Sequence, residues 1–159
     1  MLVKTIVQET YQDYKKPAML ISTCYCDWKC CNEQNISNSI CHNKQTTDFK
    51  NIKIDNNKII EKYLNNPLTE AIIFGGLEPM KQFEEVIELI SEIREKTLDD
   101  IVIYTGYYPY EIVEQLNQLS LFRNIIIKFG RYLINSEPIF DEVLGIKLAS
   151  KNQYAIKIS

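Results

Sequence analysis

The 159-residue chain predicts an α/β fold built on a mostly parallel sheet. Apolar runs of strand length alternate with stretches of helical periodicity. The runs are continuous rather than alternating, as in strands covered on both faces. Four of them end at cysteine or glycine, so four strand ends converge on one rim, where open α/β sheets place their sites.

The elements follow in order. "PAMLISTCY" (17–25) is the first buried strand and runs into the cysteines. "NISNSICHNKQTTDFKN" (35–51), rich in Asn, Ser and Thr, reads as a loop. Asp55 caps a helix over "NNKIIEKYLNN", with Ile59, Ile60, Tyr63 and Leu64 on one face. "TEAIIFGG" is the second strand. Pro79 then opens a helix whose core face is Met80, Phe83, Val86, Ile87, Ile90 and Ile93. "DDIVIYTG" is the third strand. Pro109 opens a helix that buries Ile112, Val113, Leu116 and Leu119. "NIIIKFG" is the fourth strand, and the tail "EVLGIKLASKNQYAIKIS" holds a short strand and a turn. No repeat or composition shift divides the chain, so residues 1–159 read as one domain.

Bulk properties narrow the function. Hydrophobic residues make up 45% and charged residues 25%, ordinary for a globular domain. A net charge of −3 with scattered Lys and Arg gives no footprint for nucleic acid. No apolar run is long enough to span a membrane, and the charged N-terminus lacks a signal-peptide core. These features predict a cytoplasmic protein whose thiols stay reduced.

The thiols are the strongest chemical signal. Cys24, Cys26, Cys30, Cys31 and Cys41 are the five cysteines of the chain, all within one loop at 24–43. An odd, local cluster is a poor disulfide framework and suits soft-metal binding, either zinc or iron–sulfur. Structural zinc favours paired C-x2–4-C knuckles, and only Cys26-x3-Cys30 provides one.

Other motifs extend the pattern. "CDWKC" resembles the first half of the radical S-adenosylmethionine motif C-x3-C-x2-C, and "FGGLEP" (74–79) is similar to that superfamily's Gly-Gly-Glu-Pro element. "IVIYTGY" (101–107) and "ASKNQ" (149–153) resemble segments of anaerobic ribonucleoside-triphosphate reductase activating proteins. The resemblance implies a partial (β/α) barrel and a 4Fe–4S cluster on three cysteines. It also implies S-adenosyl-L-methionine chelated at the open iron and cleaved to a 5′-deoxyadenosyl radical. The implied partners are a glycyl-radical enzyme of the anaerobic ribonucleotide reductase type and an electron donor such as flavodoxin.

Carried onto this chain, the resemblance makes Cys26, Cys30 and Cys41 the cluster ligands. Ile40 falls at the apolar position that touches adenine. Gly75 and Gly76 let backbone approach the cofactor, and Glu78 pairs with its amino group. Glu78 also reads as a helix-start acid. Tyr104 and Thr105 face the ribose or methionine, or pack at a strand end. Lys128 binds the carboxylate, or reaches for solvent. Ser150, Asn152 and Gln153 match the tail motif without assigned chemistry and could satisfy a turn. His42 reads as a solvated loop residue, and Trp28 as a shield over the cluster or a core anchor.

The chain also departs from the family pattern. Cys31 follows Cys30 directly, and the third ligand comes ten residues on instead of two, an insertion that costs about 0.6 kcal/mol per doubling of loop length. Leu77 is inserted in the glycine motif, and Tyr154 stands where the family tail has Arg. Radical chemistry on another peptide or a small molecule is the second reading. A non-catalytic iron–sulfur or zinc module is the third.

Overall fold

A computed structural model describes residues 1–159. The elements run β1 (Leu2–Val3), β2 (Thr5–Thr10), β3 (Ala18–Thr23), α1 (Lys29–Asn32), α2 (Lys44–Asp48), β4 (Ile52–Lys53), α3 (Asn56–Leu64) and β5 (Ala71–Gly76). They continue α4 (Phe83–Arg94), β6 (Asp100–Tyr104), α5 (Val113–Leu119), β7 (Ile125–Phe129), β8 (Ile139–Asp141), β9 (Ile146–Leu148) and β10 (Tyr154–Lys157). The central sheet has the order β10-β7-β6-β5-β3-β2. Its four inner strands pair in parallel, while β2 and β10 join the two edges antiparallel. The expected partial barrel is therefore an open six-stranded sheet, because antiparallel edge strands end it on both sides. No helix is long and apolar enough to cross a membrane.

The pleat sorts the strand residues between two faces. Met19, Ile21, Ile72, Phe74, Ile101, Ile103, Ile125 and Ile127 point to one face. There they meet Ile59, Ile60 and Tyr63 of α3, Val86, Leu89, Ile90 and Ile93 of α4, and Leu119 of α5. Ala18, Ala71, Ile73, Val102 and Ile126 point to the other face. Tyr14, Leu144 and Leu148 cover that face near the strand starts. Asp141 ties the β8–β9 hairpin in place: Leu144 N and Ala155 N each donate to its carboxylate at 2.8 Å. Every long helix thus lies on one face, and the other is left open at the C-terminal strand ends.

The helix boundaries bear out some expectations and correct others. Asp55 does cap α3, accepting from Asn57 N at 2.9 Å. Leu64 and Val113, expected on buried faces, are exposed. The helices expected from Pro79 and Pro109 begin later, at Phe83 and Val113, each after a short 3₁₀ turn. The loop at 35–51 contains a 3₁₀ turn (Asn38–Ile40) and α2.

The end of β5 sets a strict backbone requirement. Gly76 has φ +76°, and a Cβ there would lie 2.7 Å from Ser22 Cβ. Gly75 has no such strain, and its nearest neighbour would be Leu20 Cδ1 at 3.4 Å. Gly76→Ala should therefore cost roughly 1–3 kcal/mol, the scale of a strained backbone site, and Gly75→Ala distinctly less. Urea unfolding midpoints check this, and equal midpoints for the two variants would contradict it.

Candidate metal and cofactor site

The open end of the second face is a cavity of about 450 Å³, within the range of small-molecule sites. Strand parity builds its floor. Leu20 and Ser22 of β3, Ile73 and Gly75 of β5, Tyr104 of β6 and Lys128 of β7 all line it. The register aligns them in pairs, Ser22 beside Gly75 and Tyr104 beside Lys128. A larger, shallow depression of about 540 Å³ lies by α4 and α5, lined by Glu84, Glu85 and Glu88. It holds no thiol and sits on the helical face, so the chemistry belongs to the smaller cavity.

Three of the five thiols face that cavity: Cys26, Cys30 and Cys41. Cys24 and Cys31 do not line it and are buried elsewhere. Cys31 Sγ lies 3.9 Å from Cys30 Sγ but is buried and does not line the cavity. Trp28 N donates to Cys26 Sγ at 3.3 Å. Burial pushes the Cys26 thiol up to about 11. The neighbouring Cys41 thiol lowers Cys30, and the same contact raises Cys41. No three Cys, His, Asp or Glu side chains converge on one point, as a single bound ion requires. Three soft donors on one cavity suit an iron–sulfur cluster in ligand type and number.

Glu78 is the second chemical feature. It fills the turn-starting role that the sequence left open. Its carboxylate accepts from Met80 N at 3.1 Å and so starts the 3₁₀ turn. It also accepts from Thr105 Oγ1 at 2.7 Å and Gly106 N at 2.8 Å. Its own N–H donates to Tyr25 O at 2.8 Å, tying the β5 loop to the cysteine loop. The side chain is buried, lines the cavity and has no ion-pair partner. Burial pushes its carboxyl up despite three donated hydrogen bonds. Oε1 accepts two of those bonds and Oε2 one, so Oε2 keeps acceptor capacity.

Lys128 points into the cavity rather than to solvent. Its ammonium donates to Gly130 O at 2.9 Å, and burial pulls it down to about 8. It feels the Glu78 charge, yet the two form no ion pair.

Other expected residues fall differently. Tyr104 offers the cavity its ring, because its hydroxyl donates to Asp13 O. Thr105 spends its hydroxyl on orienting Glu78. Ile40 lies in the 3₁₀ turn, 39% exposed and outside the cavity lining, so it does not join the others. Exposed His42 lies at the cavity, packed on Tyr132 with ring centroids 4.5 Å apart.

The tail motif acquires a task here. Ser150 Oγ accepts from Leu133 N at 2.8 Å, Asn152 Nδ2 donates to Arg131 O at 2.9 Å, and Gln153 Nε2 donates to Gly130 O at 3.2 Å. Together they pin the strap that follows β7. Gly130, at φ +95°, admits this close approach, since a Cβ would meet Asn152 O at 2.8 Å. The sequence placed Gly106 and Gly130 on the rim of strand ends without giving them a task, and did not single out Ser22 or Tyr132. Strand parity from Gly75 across the β3–β5 pair would have found Ser22.

A family model described as "4Fe-4S single cluster domain" matches residues 18–145. No curated protein and no solved structure matches the chain. The match covers the cysteine loop, all four parallel strands and the cavity floor. The chain belongs to the 4Fe-4S single cluster domain family.

Proposed function

We propose that this iron–sulfur domain is a radical S-adenosylmethionine enzyme. The observation that carries the reading is a buried carboxylate without a cation, Glu78, on the same cavity as Cys26, Cys30 and Cys41. A cluster domain that only transfers electrons has no use for such a carboxylate or for a cavity of about 450 Å³. A ligand bearing an ammonium group beside its metal-binding atoms uses both.

In this reading Cys26, Cys30 and Cys41 hold three irons of a 4Fe–4S cluster and leave the fourth without a protein ligand. When bound, the cluster supplies one electron to S-adenosylmethionine at that open iron, giving methionine and a 5′-deoxyadenosyl radical. Glu78 accepts the ligand's ammonium at Oε2 by a charge-assisted hydrogen bond. That cation offsets the burial that holds the carboxyl up. Thr105 and Gly106 keep the carboxylate aimed. Lys128 supplies the positive charge for the ligand's carboxylate, and it is still mostly protonated at neutral pH. Gly75 leaves the floor open, because any side chain there would enter the cavity. The ring of Tyr104 forms a wall of the site. The resemblance of "IVIYTGY" and "ASKNQ" to reductase-activating proteins makes a glycyl-radical enzyme the proposed partner, with flavodoxin or a similar donor.

Two expected outcomes test the reading. Chain reconstituted without air and reduced with dithionite should convert S-adenosylmethionine to 5′-deoxyadenosine and methionine. A fully loaded cluster with no conversion would contradict the enzyme assignment. Glu78→Gln should load iron normally but bind S-adenosylmethionine about 10- to 100-fold more weakly, the equivalent of a charged hydrogen bond worth roughly 1.5–3 kcal/mol. Equal affinity in a titration of parent and variant would reduce Glu78 to a turn-starting residue.

A further inference from the structure

Beside the cavity lies a charged network that the reading above does not use. Arg131, on the strap after β7, is almost fully buried. Its Nη1 and Nη2 donate to Glu111 Oε2 and Oε1 at 2.8 and 2.7 Å, a two-pronged fork. Glu111 sits in the 3₁₀ turn after β6, and Tyr108 N also donates to it at 2.8 Å. The ammonium of Lys29 donates to Glu111 Oε1 as well. Arg131 Nε lies 2.6 Å from Glu33 Oε2, but its N–H makes no aligned hydrogen bond, so that contact is an ion pair.

The two outer partners flank a ligand residue. Lys29 is the first residue of α1, Glu33 is its C-cap, and Cys30 lies between them. One carboxylate–guanidinium pair, its guanidinium buried, therefore grips both ends of α1. The helix needs that grip. At four residues it is too short to hold itself. Its N-cap, Trp28, has φ +59° and provides no side-chain capping bond. The same guanidinium donates to Gly106 O at 3.3 Å, and Gly106 N donates to Glu78. One residue, Gly106, thus joins the grip on α1 to the carboxylate at the cavity.

We propose that Glu111 and Arg131 are positioning residues for the metal site, fixing α1, and with it Cys30, against the wall that carries Glu78. The proposal rests on the reading of Cys26, Cys30 and Cys41 as ligands. Outer partners of this kind typically change metal affinity by about 10- to 100-fold when removed.

The test separates position from folding. Glu111→Gln strands a buried guanidinium and could unfold the chain. Lys29→Met/Glu33→Gln releases α1 through its two half-exposed partners and leaves the Glu111–Arg131 pair intact. The full chain is compared with this double variant and with Lys29→Arg. Melting temperature serves as the control. The readouts are amide exchange at 29–34 in metal-free chain, the rate of iron extraction by a chelator after anaerobic reconstitution, and the spectrum of the reduced cluster. The double variant should melt with the parent, lose exchange protection at 29–34, release iron roughly 10- to 100-fold faster and show an altered spectrum. Lys29→Arg should behave as the parent. If the parent holds iron and the double variant holds it equally long with the same spectrum, the positioning role is overturned while the ligand reading stands. If the parent itself takes up no iron, the ligand reading fails and the proposal falls with it.

Discussion

Parallel pairing of β3, β5, β6 and β7 sets Ser22 beside Gly75 and Tyr104 beside Lys128. The site depends on that register. A slip of one residue in any of these strands would send its cavity residue to the helical face and bring an isoleucine, a phenylalanine or a methionine in its place. Register is held because the helical face is a continuous core of large side chains that has no tolerance for polar replacements. The long helices α3, α4 and α5 therefore specify the site without lining it. Their burial fixes which side of each strand is left for chemistry.

Within that frame, two buried charges define what the cavity accepts. Glu78 is raised by desolvation and Lys128 is lowered by it, so burial disfavours both charged forms. They do not neutralise one another as an ion pair. The ligand proposed above, carrying an ammonium and a carboxylate group, would relieve both at once. The Glu111–Arg131 pair solves the complementary problem. It holds a one-turn helix where propensity alone would not.

The sequence conveyed the parts of this arrangement that rest on apolar pattern. The four inner strands were legible because burial on both faces makes them unbroken runs of Ile, Val and Phe. The Asp55 cap was legible because a short acceptor must precede a helix start. Gly75 and Lys128 stood out by position at strand ends, whereas Glu78 was singled out by the resemblance of "FGGLEP" to a family element. The edges were not legible. β2 mixes Thr, Gln and Glu because much of it faces solvent, and β10 exposes three of its four residues. α2 is too short to show a period. Ile40 was placed by analogy with a shorter loop, and the longer loop puts it in a turn at the surface. Glu111 and Arg131 carry no sequence signal, since charges on two loops look solvated until the fold brings them together. Leu64 and Val113 failed for a different reason, since periodicity reports an apolar stripe but not where the neighbouring element stops.

The central claim is that three particular thiols, and not the other two, form the metal site. Single Cys→Ser substitution at all five positions tests it most directly, with iron per chain and the reduced-cluster spectrum as readouts. Substitution at Cys26, Cys30 or Cys41 should abolish the parent cluster, because each faces the cavity. Substitution at Cys24 or Cys31 should leave it in place, because both are buried and neither lines the cavity. A Cys41→Ser chain that retains full iron and the parent spectrum would contradict the account.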